Sequence, residues 1–259
     1  MKLRVFYTSF FILVTSVCLS DARAGEYRVW PMLIDIEAEP GINYPFEFNV
    51  LAIKSGRIQV YVNKIEQLST GHVQFVAAEK IQGISLVKSK ASLDVGETFT
   101  VQGEIIVPRK SSGSLLYAVI VEEDTKHQGK GLQIKVRYAV VIDIDIKSRK
   151  TRLNTKIYNL EVTDGHISAW FENHSNKKAL LKSQIVIRDE NRRLVDRQFI
   201  RTQSAIERQE DYSIVYPNSK VKIIGSTEKL NPGIYNVLIQ SHFNEKSLPV
   251  LRTEINYMQ

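Results

Sequence analysis

Cysteine is almost missing from this sequence: Cys18 is the only one, and it sits in the first apolar stretch. Disulfide stapling, thiol catalysis and cysteine metal sites are therefore excluded from the remainder of the chain, whose stability must come from an ordinary apolar core. After the N-terminus no apolar run approaches the ~20 residues needed to span a bilayer as a helix. The five histidines, His72, His127, His166, His174 and His242, form no i, i+2 or i, i+4 pair and no HExxH pattern, so they read as surface or turn residues. No Gly-x-Ser-x-Gly elbow, phosphate-cradling loop or dinucleotide fingerprint occurs, and Gly129-Lys130-Gly131 lacks the Lys-Ser/Thr ending of a phosphate loop. Asp143 and Asp145 flank Ile144 as a carboxylate pair on one strand face, but no histidine or third ligand accompanies them locally. These absences argue against an enzyme and call for no cofactor and no metal.

What is present begins with MKLRVFYTSFFILVTSVCLSDARAGEY: Lys2 and Arg4, a mostly apolar run from Val5 to Cys18, then Ala22-Arg23-Ala24. That order is expected of a secretory leader over residues 1–24. The formal charge of +7 falls to about +5 once Lys2, Arg4, Asp21 and Arg23 leave with the leader. The positive charge is spread along the chain without an aromatic-basic motif, so nucleic acid is not an expected partner.

Strand follows strand in the remaining sequence. "YPFEFNVLAI", "KSGRIQVYVNKI", "HVQFVAAEKI", "SLDVGETFTVQGEIIVP" and "GSLLYAVIVEE" each alternate or carry β-rich runs fenced by turn residues. No sustained helical stripe with caps interrupts them, which predicts an all-β sandwich rather than a βαβ fold. "KSRKTRLNTK" is basic and aperiodic and reads as a linker, so the expected units are residues 25–147 and 148–259. The second resumes at "HISAWFENHSN", places a hairpin turn at Asp189-Glu190-Asn191, and follows a Pro-Gly turn with Tyr235, expected in the core or near a sandwich corner.

One stretch is longer than the fold requires. "GLQIKVRYAVVIDIDIK", residues 131–147, has an apolar side chain at every even position from Leu132 to Ile146. Alternation is the strand period, and at ~3.3 Å per residue this strand would run roughly 50 Å, where ~5–6 residues is usual. On the residues alone, all eight side chains fit one face against one core.

The order of these segments resembles the PapD-like periplasmic chaperones of pilus assembly. "RVWPMLIDIEAEPG" is similar to that family's opening strand, "SLDVGETFTVQGEIIVP" to its Gly-Glu turn and following strand, and "GSLLYAVIVEE" to its Ser-Leu-aromatic strand. "FENHSNKKALLKSQIVIRDENRRL", "VYPNSKVKI" and "LNPGIYNVLI" resemble its second-domain asparagine turn, hairpin, proline-led strand and Gly-x-Tyr strand. The resemblance implies two immunoglobulin-like sandwiches in tandem, arranged in an L. It also implies a periplasmic location, fimbrial or other exported β-rich subunits as partners, and an outer-membrane usher as recipient. In that family the long strand is lent to an incomplete subunit, its backbone completing the subunit's sheet and alternate side chains filling the gap. Transferred to this sequence, Leu132, Ile134 and Val136 are the lent side chains, and Tyr138, Val140, Ile142, Ile144 and Ile146 stay in the chain's own core. A structural or adhesive module of a surface appendage is the alternative reading, disfavoured because the expected mature chain starts within a few residues of its first strand.

The sequence departs from the family at one step. Family members hold the subunit's terminal carboxylate with an arginine and a lysine, and the matching positions here are Leu33 and Val141. Candidate substitutes for the carboxylate anchor are Arg28, Lys135 and Arg137.

Overall fold

The computed structural model describes residues 26–77, 81–124, 136–147, 154–163, 165–228, 230–244 and 246–258. The expected donor residues Leu132 and Ile134, and the candidate anchor Lys135, lie outside the described residues.

Among the described residues ten strands precede residue 147: β1 (Tyr27–Trp30), β2 (Leu33–Ala38), β3 (Asn43–Ala52), β4 (Gly56–Gln67), β5 (Val73–Ala77), β6 (Ile84–Leu86), β7 (Lys90–Leu93), β8 (Thr98–Ile106), β9 (Gly113–Glu123) and β10 (Arg137–Ile146). One sheet runs β1-β3-β8-β6; the other runs β2-β10-β9-β4-β5, with β7 also on β4. Alternate residues of both sheets, among them Phe48, Val50, Ile58, Val101, Val119 and Ile142, are at most 1 % exposed and form one core. The chain changes sheets between β1 and β2, across the cis peptide bond Trp30–Pro31.

The later elements are β11 (Thr155–Thr163), β12 (His166–Asn173), β13 (Ala179–Asp189), β14 (Leu194–Ile200), the short helix α1 (Gln203–Glu207), β15 (Ser213–Val215), β16 (Ser219–Ser226), β17 (Gly233–Phe243), β18 (Lys246–Ser247) and β19 (Leu251–Tyr257). They build a three-stranded sheet, β11-β12-β16, and a second sheet, β14-β13-β17-β18, with β15 on β13 and β19 on β17. These enclose a second core around Phe171, Leu181, Ile185, Ile223, Ile239 and Phe243. The expected all-β, two-sandwich fold is what the chain adopts.

Local expectations fare differently. The Asp189–Asn191 turn is present, with Arg192 at φ 63° and the Asp189 carboxylate accepting from the Arg193 amide. Tyr235 is 7 % exposed and its hydroxyl donates to the Asn231 carbonyl at 2.7 Å, so it is both a core residue and the tie of a corner. Residues 155–163 correct the reading that the second half opens at His166, because they form β11. The strand escapes the period-2 rule because it is bulged between Tyr158 and Glu161, with Asn159 at φ 54°.

Two seams join the sandwiches. At the first, the Ser114 amide donates to the Asn176 carbonyl at 2.8 Å, the Lys178 amide donates to the Ser114 hydroxyl, and Asn176 donates to Ser112. Gly113 occupies φ 92° there, and a Cβ on it would lie 1.8 Å from the Asn176 carbonyl oxygen, so only glycine fits. At the second, the β4–β5 turn meets the region of α1, β15 and β16. Gln67 donates to the Ile214 carbonyl and accepts from the Tyr216 amide, and the amides of Ser204 and Lys222 donate to the carbonyls of Thr70 and Ser69.

Candidate partner-binding edge

β10 carries the sequence feature of interest, and its two faces separate cleanly. Val140, Ile142, Ile144 and Ile146 are at most 2 % exposed, and Tyr138 is partly buried against the same core. This is the share of the alternating stretch expected to serve the chain's own sandwich. Val136, the one expected donor side chain among the described residues, is 43 % exposed. Among the described residues the side chains that face the core therefore begin at Tyr138, while the sequence alternation continues upstream to Leu132.

The strand's neighbours change along its length. β9 pairs antiparallel with β10 from Arg137 to Ile146. On the other side β2 pairs parallel only from Val141 to Ile146. Among the described residues no strand meets Arg137–Val140 on that second side. A backbone row without a neighbouring strand is an adhesive feature that soluble proteins normally cover. The segment entering β2 lies at the boundary of this gap, where the Val141 amide donates to the Met32 carbonyl at 2.9 Å. Trp30, Met32 and Leu33 are all exposed in that segment.

Leu33 and Val141, the two positions at which the resemblance would place cations, are register partners on β2 and β10. The pair is thus brought together in space, but as two aliphatic side chains. The two candidate substitutes among the described residues, Arg28 and Arg137, do not assemble around it. Arg28 lies on β1, which pairs with β3 in the opposite sheet, and its strand neighbours Tyr27 and Val29 are buried, so Arg28 points away from the core on that other sheet. Arg137 already has a carboxylate partner: its Nε donates to Glu122 at 2.7 Å, across the β9–β10 pair.

Glu122 is a functional group that the sequence reading missed. Its side chain is only 4 % exposed, although it stands on the outward face of β9. Arg137 and Gln59 both donate to it. The carboxylate raises the Arg137 pKa further, and burial followed by the negative charge of Glu122 raises that of Tyr61. A signal existed in the odd-numbered cations of the long strand, but their partner is set by hairpin register and not by local spacing.

Asp143 and Asp145 also find partners from a distance. Asp143 is bonded by Lys178 and Asp145 by Lys177 at 2.9 Å, both lysines belonging to the segment between β12 and β13. The carboxylate pair thus anchors the second sandwich to β10. No group of three or more His, Cys, Asp or Glu side chains that could hold a metal occurs among the described residues. No helix among them is long and apolar enough to cross a membrane.

Against known proteins, no family model and no curated sequence matches the chain. Among solved structures, a chain of the chaperone–tip adhesin complex of CFA/I fimbriae biogenesis aligns at a TM-score of 0.50 and 15 % identity, over 89 % of this chain and 98 % of that one. The chain has the two-sandwich fold of the PapD-like fimbrial chaperones. The class 5 fimbriae chaperone CfaA aligns at a TM-score of 0.47 and 14 % identity, over 90 % of this chain and all of that one. A chain of the CsuC–CsuE chaperone–tip adhesion subunit complex of Acinetobacter baumannii Csu pili aligns at 0.44 and 15 %, over 76 % of this chain and 89 % of that one. Within this fold, β10 is the last strand of the first sandwich, the place that the resemblance assigned to it.

Proposed function

We propose that the chain is a non-enzymatic periplasmic assembly chaperone. It is exported by a leader over residues 1–24 and built of an N-terminal immunoglobulin-like chaperone domain, 25–147, and a C-terminal immunoglobulin-like domain, 148–259. Its partners are fimbrial or related β-rich surface subunits, which it caps by strand donation and passes to an outer-membrane usher. The observation that carries this reading is the side of Arg137–Val140 that no strand among the described residues pairs with, into which a long alternating sequence leads. A subunit strand laid there gains main-chain hydrogen bonds from β10, while Leu132, Ile134 and Val136 supply apolar side chains on one face. The solved chaperone–tip adhesin complex of CFA/I fimbriae biogenesis supports this kind of partner.

The anchoring step differs from the family pattern. Leu33 and Val141 offer an apolar floor beside the edge, and Arg137 is occupied by Glu122, so register is set chiefly by side-chain fit along the lent segment. The test is capture. Ile134→Asp and Val136→Asp should leave the protein folded and abolish co-purification of β-rich subunits from the periplasm of cells making the appendage. Unfolding of the first sandwich by either substitution, or recovery of no β-rich subunit by the unaltered protein, would remove the basis of the reading.

A further inference from the structure

The outer face of the second sandwich's larger sheet gathers several arginines. Strand register puts Arg197, Val186, Leu238 and Arg252 in one row across β14, β13, β17 and β19. Arg188 stands in the next row, followed by Asn236 and Glu254. On β13 and β17 the alternate residues Ile185, Ile187, Val237 and Ile239 fill the core, which fixes these rows on the outward side. Val186 is nevertheless only 5 % exposed, flanked as it is by Arg197 and Leu238.

Arginines without ion pairs among the described residues cluster on this face, whereas several lysines on other faces are paired. Lys54, Lys90, Lys147 and Lys222 each meet a carboxylate, namely Glu26, Asp124, Glu37 and Glu161. Among the described residues Arg188, Arg192, Arg197 and Arg252 form no ion pair; the Arg188 guanidinium instead donates to the Arg192 carbonyl at 2.8 Å. A groove of about 800 Å³ is lined by Arg188, Arg192 and Arg252 together with Asn236, Glu190 and Glu254. Arginine rather than lysine at all three cationic positions favours planar, bidentate acceptors such as carboxylates. The two glutamates in the same lining oppose a dense phosphate surface, whereas a polypeptide can set its amide donors against them.

We propose that this groove binds an extended acidic segment of a partner protein, with the partner's carboxylates on Arg188, Arg192 and Arg252. The site is on the other sandwich from the β10 edge and stands independently of the strand-donation reading. The experiment uses the full chain and a fluorescent peptide of alternating Glu and Val, amidated at its C-terminus, followed by anisotropy at low salt. Binding should weaken about tenfold or more when Gln replaces Glu in the peptide, and about equally in the protein variant carrying both Arg188→Gln and Arg252→Gln. The variant carrying Lys220→Gln and Lys222→Gln, which removes the same charge from another sheet, should bind as the parent does. An equal loss in the lysine variant would reduce the effect to net charge and overturn the site. So would absence of peptide binding, whether or not phosphatidylglycerol vesicles bind in its place.

Discussion

From Val141 to Ile146, β10 has a strand on each side, and its outward acids are bonded to lysines of the second sandwich. From Arg137 to Val140 its only strand neighbour among the described residues is β9, and Val136 just before it is exposed. The alternation of the sequence is the same through both parts, so periodicity determines which side chains face the core and says nothing about what the strand's edge meets. The pinned part supplies a rigid base that fixes the direction and register of the open part. Arg137–Val140 are thereby held extended by β9, which under the proposed strand donation lowers the ordering cost of binding.

The sharpest way to break this comparison is to place the same charge in each part. Ile142 is fully buried, and Ile142→Asp should unfold the first sandwich at a cost above about 4 kcal/mol. Val136→Asp should change stability by no more than about 0.5 kcal/mol, because the side chain is already 43 % exposed. Denaturant midpoints of the two variants measure the difference directly. Equal losses would show that both parts of the strand belong to one core.

The next effect concerns the seam beneath the pinned part. Gly113→Ala demands both a left-handed alanine at φ 92° and room where the Asn176 carbonyl stands. The expected cost is about 1–3 kcal/mol, with the two sandwiches melting as separate transitions and a larger radius in solution scattering. A single unchanged transition would mean that this contact does not hold the sandwiches together.

Much of this fold was legible in the sequence. Tyr138–Ile146 reads as core-facing alternation, the Asp189 turn as a hairpin, and Tyr235 as a core or corner residue, because each depends on residues a few positions apart. β11 was illegible because its bulge at Asn159 interrupts the period. The partner of Arg137, the lysines on Asp143 and Asp145, and the arginine row on the second sandwich all depend on register between distant segments, which no local pattern encodes. The site was legible as a strand and not as an edge: the absence of cations from Leu33 and Val141 could be read, but that the two stand side by side could not.

A smaller effect should follow from removing one of the lysines that pin β10. The Asp143 side chain is 12 % exposed and that of Lys178 is 29 % exposed, so Lys178→Met leaves a mostly buried carboxylate without its cation. The loss should be about 1–3 kcal/mol, and Asp143→Asn in the same chain should recover part of it. A double-mutant cycle by chemical denaturation separates the pair from its surroundings. Additive losses would show that the ion pair contributes nothing beyond its two separate side chains.

The smallest effect belongs to the second seam, where His72 Nε2 and the Glu207 carboxylate are 2.7 Å apart. The Glu207 pKa is lowered from 4.5, first by the hydrogen bond from Gln203 and then by that from His72. A carboxyl whose folded pKa is depressed contributes stability that is present above its unfolded value and is lost as pH falls through the folded value. The gap in melting temperature between the parent chain and Glu207→Gln should therefore be small near neutrality and close in the acid range below that lowered pKa. Both groups are substantially exposed, so added salt should narrow the gap at neutral pH as well. A gap that survives both acid and salt would assign the contact to packing of α1 against the β4–β5 turn, and would leave the first seam as the one whose charges hold the base of β10 in place.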